Sequence, residues 1–205
     1  MKVFLTVILG IGQLLFSIAA SSIQVSFHDT QVFLPQFTRF QTRAPAGTTR
    51  IWAAMSTDLV DHVYSTNATE LQYLIDFYGF SIEGPKGTGT GYIYTTQQPN
   101  TVPVYRLYGI GRTDHFLTTS VQERDLAVKR WGYHVEGILG YIQETPSTGL
   151  VPFHRLYNAP IHDHYYTTTE KEREDASRNG WTEEGVLGYI FPLEDDAPAL
   201  DTTSV

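Results

Sequence analysis

Three Asp-His dipeptides are the residues of this chain best suited to acid–base chemistry. A carboxylate that holds an imidazole can turn it into a general base. Adjacent residues on a strand point to opposite faces, however, so the two side chains of one pair need not touch. A pattern that recurs three times is typical of a structural position, in which Asp closes a hairpin turn and His packs against a neighbouring segment; ligand binding and catalysis are the alternatives. The pairs are Asp61-His62, Asp114-His115 and Asp163-His164.

Histidines cluster around the third pair and raise the question of a metal site. His162 and His164 are two apart and can share one strand face, where two imidazoles suit zinc, with His154 and Asp163 nearby. The stretch before Asp114 has no such histidines, and the chain has neither cysteine nor a His-Glu-x-x-His motif. We therefore predict no metal, no cofactor and no catalytic residue.

Arg106 with Tyr108, and Arg155 with Tyr157, are candidates for ligand binding because residues two apart on a strand share a face. In the structural alternative, each arginine stacks on an aromatic ring or binds a buried carboxylate, for which Glu136 and Glu184 are candidates. Aromatic rings at Trp131, Tyr133 and Trp181 suit either sugar stacking or core packing. The predicted ligand-binding residues are Arg106, Tyr108, Asp114, His115, Arg155, Tyr157, Asp163 and His164.

The Asp-His pairs belong to a segment that recurs about every 50 residues, which is typical of repeat architectures. The copies span residues 50–96, 102–143 and 151–192 within a domain of residues 50–192. In each copy the pattern predicts two strands, a helix that begins at a capping box, and a further strand. The first copy diverges, with Ala53 and Met55 in place of arginine and tyrosine. The sequence predicts an α+β domain of three tandem β-β-α-β repeats in a compact, roughly pseudo-three-fold arrangement; a short open solenoid is the alternative.

The shared runs Val-Pro-x-x-Arg-Leu-Tyr, Asp-His-x-x-Thr-Thr and Gly-Tyr-Ile resemble a tandem-repeat family of unknown function. The family occurs in secreted and surface proteins of bacteria and fungi, often beside hydrolase or peptidase domains. The resemblance implies an accessory, non-catalytic module that binds glycans or cell walls, and it offers no catalytic residues to transfer.

The ends of the chain have a different composition from the repeats. Residues 1–20 read as a signal peptide, with Lys2 before an apolar run, and a membrane anchor is the alternative. Residues 21–49 form an N-terminal extension, and residues 193–205 are predicted to be an acidic disordered tail. Asn67-Ala68-Thr69 is a glycosylation sequon.

The net charge of −8 argues against nucleic acids and anionic membranes as partners. Together these features predict a secreted, extracellular, non-catalytic module that binds glycans or cell-wall polysaccharide. A secreted hydrolase that uses an Asp/His pair and a structural or effector protein with a protein partner are the alternatives.

Overall fold

The computed structural model describes residues 4–8, 13–17, 44–84 and 89–193. The chain divides into two compact units, residues 1–34 and 35–205. In the first unit, strands β1 (Phe4–Ile8) and β2 (Gln13–Ser17) pair antiparallel. They lie within the predicted signal peptide, whose cleavage the structure does not test. Most of the predicted extension and all but the first residue of the predicted tail lie outside the described residues.

The second unit contains three hairpins, each followed by a helix. Its elements in chain order are β3 (Thr48–Ser56), β4 (Asp61–Ser65), α1 (Ala68–Tyr78), β5 (Ser81–Ile82), β6 (Gly91–Tyr94), β7 (Thr101–Gly109), β8 (Asp114–Thr118), α2 (Val121–Trp131), β9 (His134–Gln143), β10 (Val151–Asn158), β11 (Asp163–Thr167), α3 (Glu170–Arg178) and β12 (Thr182–Ile190). The hairpins are β3–β4, β7–β8 and β10–β11, all antiparallel. The many aromatic and β-branched side chains of these segments favour strands.

The predicted α+β class is wrong. The strands of the second unit join in a ten-stranded antiparallel sheet, and the fold is β-rich and sandwich-like rather than a tandem β-β-α-β domain. The reason lies in the strands after the helices. β9 pairs with β7 along most of its length, but its end also pairs with β6 and β12. Hydrogen bonding therefore runs across the boundaries of the predicted repeats and joins them into one sheet.

The Gly-Tyr-Ile runs lie where these strands meet. A Cβ atom on Gly140 would lie 2.8 Å from the carbonyl oxygen of Tyr94, and one on Gly188 would lie 2.8 Å from that of Gln143. No side chain fits such a gap, so glycine is required for the strands to approach this closely.

The three helices begin at their predicted caps. The side chains of Asn67, Ser120 and Thr169 accept hydrogen bonds from backbone N–H groups of the first turn. This satisfies donors that have no partner within the helix. α1 and α2 end at Gly79 and Gly132 in the left-handed conformation, but α3 ends at Asn179.

The central core lies where the three hairpins meet. It contains the fully buried Tyr64, Leu117, Phe153 and Tyr166 with several isoleucines. The hydroxyl group of Tyr64 accepts a hydrogen bond from the N–H of Tyr166 and donates one to its carbonyl. This buried phenol thereby links β4 to β11, as the backbone of a neighbouring strand otherwise would. Among the described residues, no helix is long and apolar enough to cross a membrane.

Candidate functional site

The three Asp-His pairs form a closed ring in which each aspartate binds the histidine of another hairpin. Nδ1 of the histidine lies 2.6–2.8 Å from a carboxylate oxygen of its partner, and the backbone N–H of the same histidine donates to that carboxylate at 2.9–3.2 Å. The partners are His62 with Asp163, His115 with Asp61, and His164 with Asp114. This ring holds the tips of the three hairpins together.

The predicted role of aspartate in closing the turn is wrong. The residue before each aspartate makes the turn instead, in the left-handed conformation: Val60 at φ 55°, Thr113 at φ 52° and His162 at φ 56°. This frees both carboxylate oxygens for the neighbouring hairpin. The predicted packing of histidine against a neighbouring segment agrees with the structure, as does the lack of contact within a pair.

The aspartates of the ring are almost fully buried, and one oxygen from each lies within 4.8 Å of the others. Burial raises the pKa of Asp163, although the hydrogen bond and charge of His62 act against it. Burial would lower the pKa of His62, but its hydrogen bond to Asp163 and the charge of that carboxylate outweigh burial and raise it. Each buried carboxylate of the ring is hydrogen-bonded to one imidazole, which gives the ring a structural role.

The other nitrogen of each histidine faces a glutamate on the following strand segment. Nε2 of His115 lies 3.8 Å from Glu136, and Nε2 of His164 lies 3.6 Å from Glu184. The same glutamates accept from arginine: Nε of Arg106 lies 2.8 Å from Glu136. The predicted structural alternative for the arginines is therefore present.

Two junctions between neighbouring hairpins are each centred on one of these arginines. In the first junction, Arg106 of β7 also forms a bidentate pair with Glu70 of α1, at 2.9 and 2.6 Å. In the second junction, Arg155 of β10 binds Glu184 at 2.9 Å and pairs with Glu123 of α2 at 2.9 and 3.0 Å. The guanidinium groups thereby lie between a helix and a strand and bind carboxylates on both sides.

In a capping box, the glutamate side chain accepts a hydrogen bond from the backbone N–H of the cap residue, but here the contact is indirect. Glu123 accepts from the hydroxyl of Thr118, which in turn accepts from the N–H of Ser120, the helix cap. Burial would raise the pKa of Glu123, but hydrogen bonds from Arg155 and Thr118 outweigh it and lower the pKa. The capping box thus serves to hold an ionised carboxylate for arginine.

A cavity of about 280 Å³ lies between the second and third hairpins. We call it the aromatic pocket. Trp131, at the end of α2, is 49 % exposed, whereas Phe116 and Tyr133 are buried. The ring of Tyr157 lies against that of His164 at 4.5 Å between centroids. The pocket is lined by Arg112, Phe116, Glu123, Trp131, Tyr133, Tyr157, His164 and Glu184.

The structure separates some predicted ligand residues and joins others. Tyr157 and His164 line the aromatic pocket, whereas Arg155 lines a different cavity of about 150 Å³ beside the cap of α2. Arg106 lines a matching cavity of about 150 Å³ beside Asn67. Tyr108 packs on His115 at 4.6 Å between ring centroids. Arg106 and Tyr108 therefore do not line the same cavity, and neither do Arg155 and Tyr157.

The remaining aspartates and histidine of the predicted set, Asp114, Asp163 and His115, belong to the buried ring. Arg112 was not predicted as a ligand residue; it lies in the turn before Asp114, and its guanidinium lies 2.9 Å from Nδ1 of His162. Polar residues are common in hairpin turns, so the sequence did not indicate that Arg112 lines a pocket. The histidines weighed as zinc ligands have separate partners, since His154 lies 3.3 Å from Glu170 and His164 binds Asp114.

The chain belongs to a family described as a domain of unknown function, DUF5648, whose profile matches residues 49–191. No curated protein and no solved structure matches the chain. This match confirms the predicted resemblance to a family of unknown function. It does not confirm the repeat motifs.

Proposed function

We propose that this protein is a secreted, non-catalytic module that binds glycans or cell-wall polysaccharide, and that the aromatic pocket is its binding site. The observation that carries the proposal is the half-exposed indole of Trp131 beside a cavity of about 280 Å³ that also holds charged groups. Apolar walls with a few fixed polar groups are typical of small-molecule sites.

The lining of the aromatic pocket suits the two surfaces of a sugar. A flat indole face can cover the apolar face of a pyranose ring, and aromatic side chains combine such area with little conformational freedom. Sugar hydroxyls need both donors and acceptors. Arg112 supplies donors, and Glu123 and Glu184 supply acceptors whose positions are fixed by Arg155. A site held by ion pairs in this way is organised before the ligand arrives.

The ring of Asp-His pairs favours a non-catalytic role over hydrolysis. Asp61, Asp114 and Asp163 are at most 1 % exposed, and each accepts hydrogen bonds from a histidine. A general acid or base must reach the substrate within hydrogen-bonding distance, and these carboxylates lie below the surface.

The proposal includes secretion and the finer family assignment to repeat-bearing secreted proteins. The support is the signal-peptide pattern of residues 1–20 and the sequon at Asn67. Asn67 is exposed, and its cap uses Oδ1, which accepts from the N–H groups of Thr69 and Glu70. A glycan is attached to Nδ2, so cap and glycan can coexist.

Titration of soluble cell-wall oligosaccharides, first selected on a glycan array, tests this function. We expect Trp131→Ala to weaken binding about tenfold or more, as is typical of a central aromatic anchor. Tyr157→Ala should weaken binding less, because the ring of His164, against which Tyr157 packs, still lines the pocket. The matched control is Phe77→Ala on α1, an aromatic residue that is 70 % exposed and does not line the pocket.

Loss of binding in Trp131→Ala with binding retained in Phe77→Ala would support the aromatic pocket. Equal binding by Trp131→Ala and the unmodified protein would contradict it, as would the absence of binding to any glycan. Thermal melting of both variants verifies that they remain folded.

A further inference from the structure

The two arginine junctions have a counterpart that lacks arginine. In the hairpins, Arg106 lies opposite Leu117 and Arg155 lies opposite Tyr166. The corresponding place in the hairpin β3–β4 is taken by Ala53, which lies opposite Tyr64. We call the surroundings of Ala53 the third junction.

The groups that accept hydrogen bonds from arginine are nevertheless all present in the third junction. Glu172 of α3 is held by the hydroxyl of Thr167, as Glu123 of α2 is held by that of Thr118. Glu83 lies 3.7 Å from Nε2 of His62, in the position that Glu136 and Glu184 take beside their own histidines.

Even the carbonyl acceptor recurs. Arg106 donates to the carbonyl of Tyr64 and Arg155 to that of Leu117. The residue at that place in the third junction is Tyr166, which lies beside Ala53. The third junction is therefore a complete set of guanidinium acceptors without a guanidinium.

A cavity of about 70 Å³ takes the place of the missing side chain. This is several times the space that a single water molecule requires. It is lined by Ala53, Tyr64, Glu83, Gly84, Gly89, Thr90, Tyr165, Tyr166, Thr168, Thr169 and Glu172, and we call it the carboxylate pocket.

The carboxylate pocket contains an acceptor without a donor. Oε2 of Glu83 is buried and has no hydrogen-bond partner among the described residues. Burial raises the pKa of Glu83; the charge of His62 lowers it, and the charges of Glu172 and Asp163 raise it further. Two carboxylates thus face one cavity, and a cation between them would satisfy both.

We propose that the carboxylate pocket binds a guanidinium group from outside the chain, either that of a small guanidine or that of an arginine side chain on a peptide. The argument is the fork geometry seen twice in this molecule. A guanidinium binds a carboxylate through two parallel hydrogen bonds and presents Nε–H or a third N–H to a second acceptor, whereas an ammonium group lacks this planar fork. This site is separate from the aromatic pocket, so neither proposal depends on the other.

Titration with methylguanidinium, followed by the amide signals of residues 83–84, 89–90 and 165–172, tests the proposal. A short capped Gly-Arg-Gly peptide and methylammonium are titrated in parallel. We expect both guanidinium compounds to shift these signals and to bind about tenfold more tightly than methylammonium, because only they make the bidentate pair. Tighter binding of the peptide than of methylguanidinium would assign the natural group to an arginine side chain; the reverse order would assign it to a small guanidine.

Three variants locate the binding. Glu172→Gln and Glu83→Gln should each weaken methylguanidinium about tenfold, since each removes one charge-assisted contact. Ala53→Arg should abolish binding, because the new side chain fills the cavity. Glu144→Gln, which removes an exposed glutamate that does not line the pocket, is the matched control for net charge.

Equal weakening by Glu144→Gln and Glu172→Gln would overturn the proposal, because it would show non-specific attraction. Absence of saturable binding would overturn it as well. Lys86, a basic residue of the sequence outside the described residues, is replaced in a further variant. Binding that appears only in Lys86→Ala would also contradict an external ligand, since the lysine would then be the cation of the pocket.

Discussion

The second and third junctions contain nearly the same carboxylates but differ in one side chain. In the second, Arg155 lies between Glu123 and Glu184, and the pKa of Glu123 is lowered because hydrogen bonds from Arg155 and Thr118 outweigh the effect of burial. In the third, Ala53 leaves Glu83 with a raised pKa and an unpartnered oxygen. The comparison predicts that a pair of inward-facing glutamates costs stability unless a cation lies between them.

The same comparison shows which glutamates have an arginine partner within the chain. Where arginine is present, it binds the glutamates of its junction. Where arginine is absent, Oε2 of Glu83 has no hydrogen-bond partner among the described residues. The fold therefore keeps its acceptors in place whether or not the chain supplies the donor.

The largest expected effect is at the ring that all three junctions share. Asp114→Ala removes the partner of the buried His164 and of the Tyr133 hydroxyl. We expect a loss of about 3 kcal/mol in the free energy of unfolding, since removal of one partner of a buried pair leaves the other uncompensated. Urea denaturation at pH 7 measures this loss. A loss of under about 1 kcal/mol, the size of one hydrogen bond, would indicate that the ring is not a structural centre.

The next largest effect is at the second junction itself. Arg155→Ala leaves Glu123 and Glu184 facing each other, as Glu172 and Glu83 do in the third junction. We expect a loss of about 2 kcal/mol in the free energy of unfolding. The free energy of unfolding of Arg155→Lys should lie between those of Arg155→Ala and the unmodified protein, because lysine keeps the charge but loses the bidentate pair. Equal stability of the lysine variant and the unmodified protein would mean that charge alone matters.

A stabilising change is expected at Glu83, which faces His62, Glu172 and Asp163. Its raised pKa means that the folded protein binds the proton more tightly than the unfolded chain does, so ionisation costs stability at high pH. Glu83→Gln should therefore raise the free energy of unfolding by about 1 kcal/mol at pH 7. The gain should disappear below the ordinary pKa of 4.5. A gain that is the same at pH 4 and pH 7 would have a different cause.

The smallest expected effect is that of chelators. The carboxylates of Asp61, Asp114 and Asp163 already accept from imidazole and backbone N–H groups, so we expect no metal between them. Melting with and without EDTA should give the same temperature. A lower melting temperature that added calcium or zinc restores would contradict this.

Local features of the fold could be predicted from the sequence because their causes are local. The caps at Asn67, Ser120 and Thr169 depend on residues within one helical turn, and so the helices begin where expected. The fold class could not be predicted in this way. Pairing of β9 with β6 and β12 depends on backbone atoms far apart in the chain, and the side-chain pattern of β9 does not report it.

The site was predicted only in part for the same reason. Tyr157 and His164 were found as aromatic and polar residues on strands, but the pocket needs Arg112 and Trp131 from the preceding hairpin and helix. The sequence predicted that His62 need not touch the adjacent Asp61, but it did not indicate that the partner is Asp163, 101 residues away. Repetition indicated a structural role without indicating which copy supplies each partner.

A double-mutant cycle on Ala53→Arg and Glu172→Gln tests the comparison of the junctions most directly. If the third junction is a set of guanidinium acceptors without its arginine, Ala53→Arg should raise the free energy of unfolding by about 1 kcal/mol or more at pH 7. Most of that gain should be lost in the Glu172→Gln background, which gives a coupling free energy of the same size. A destabilised Ala53→Arg, or an equal gain with and without Glu172, would contradict the account.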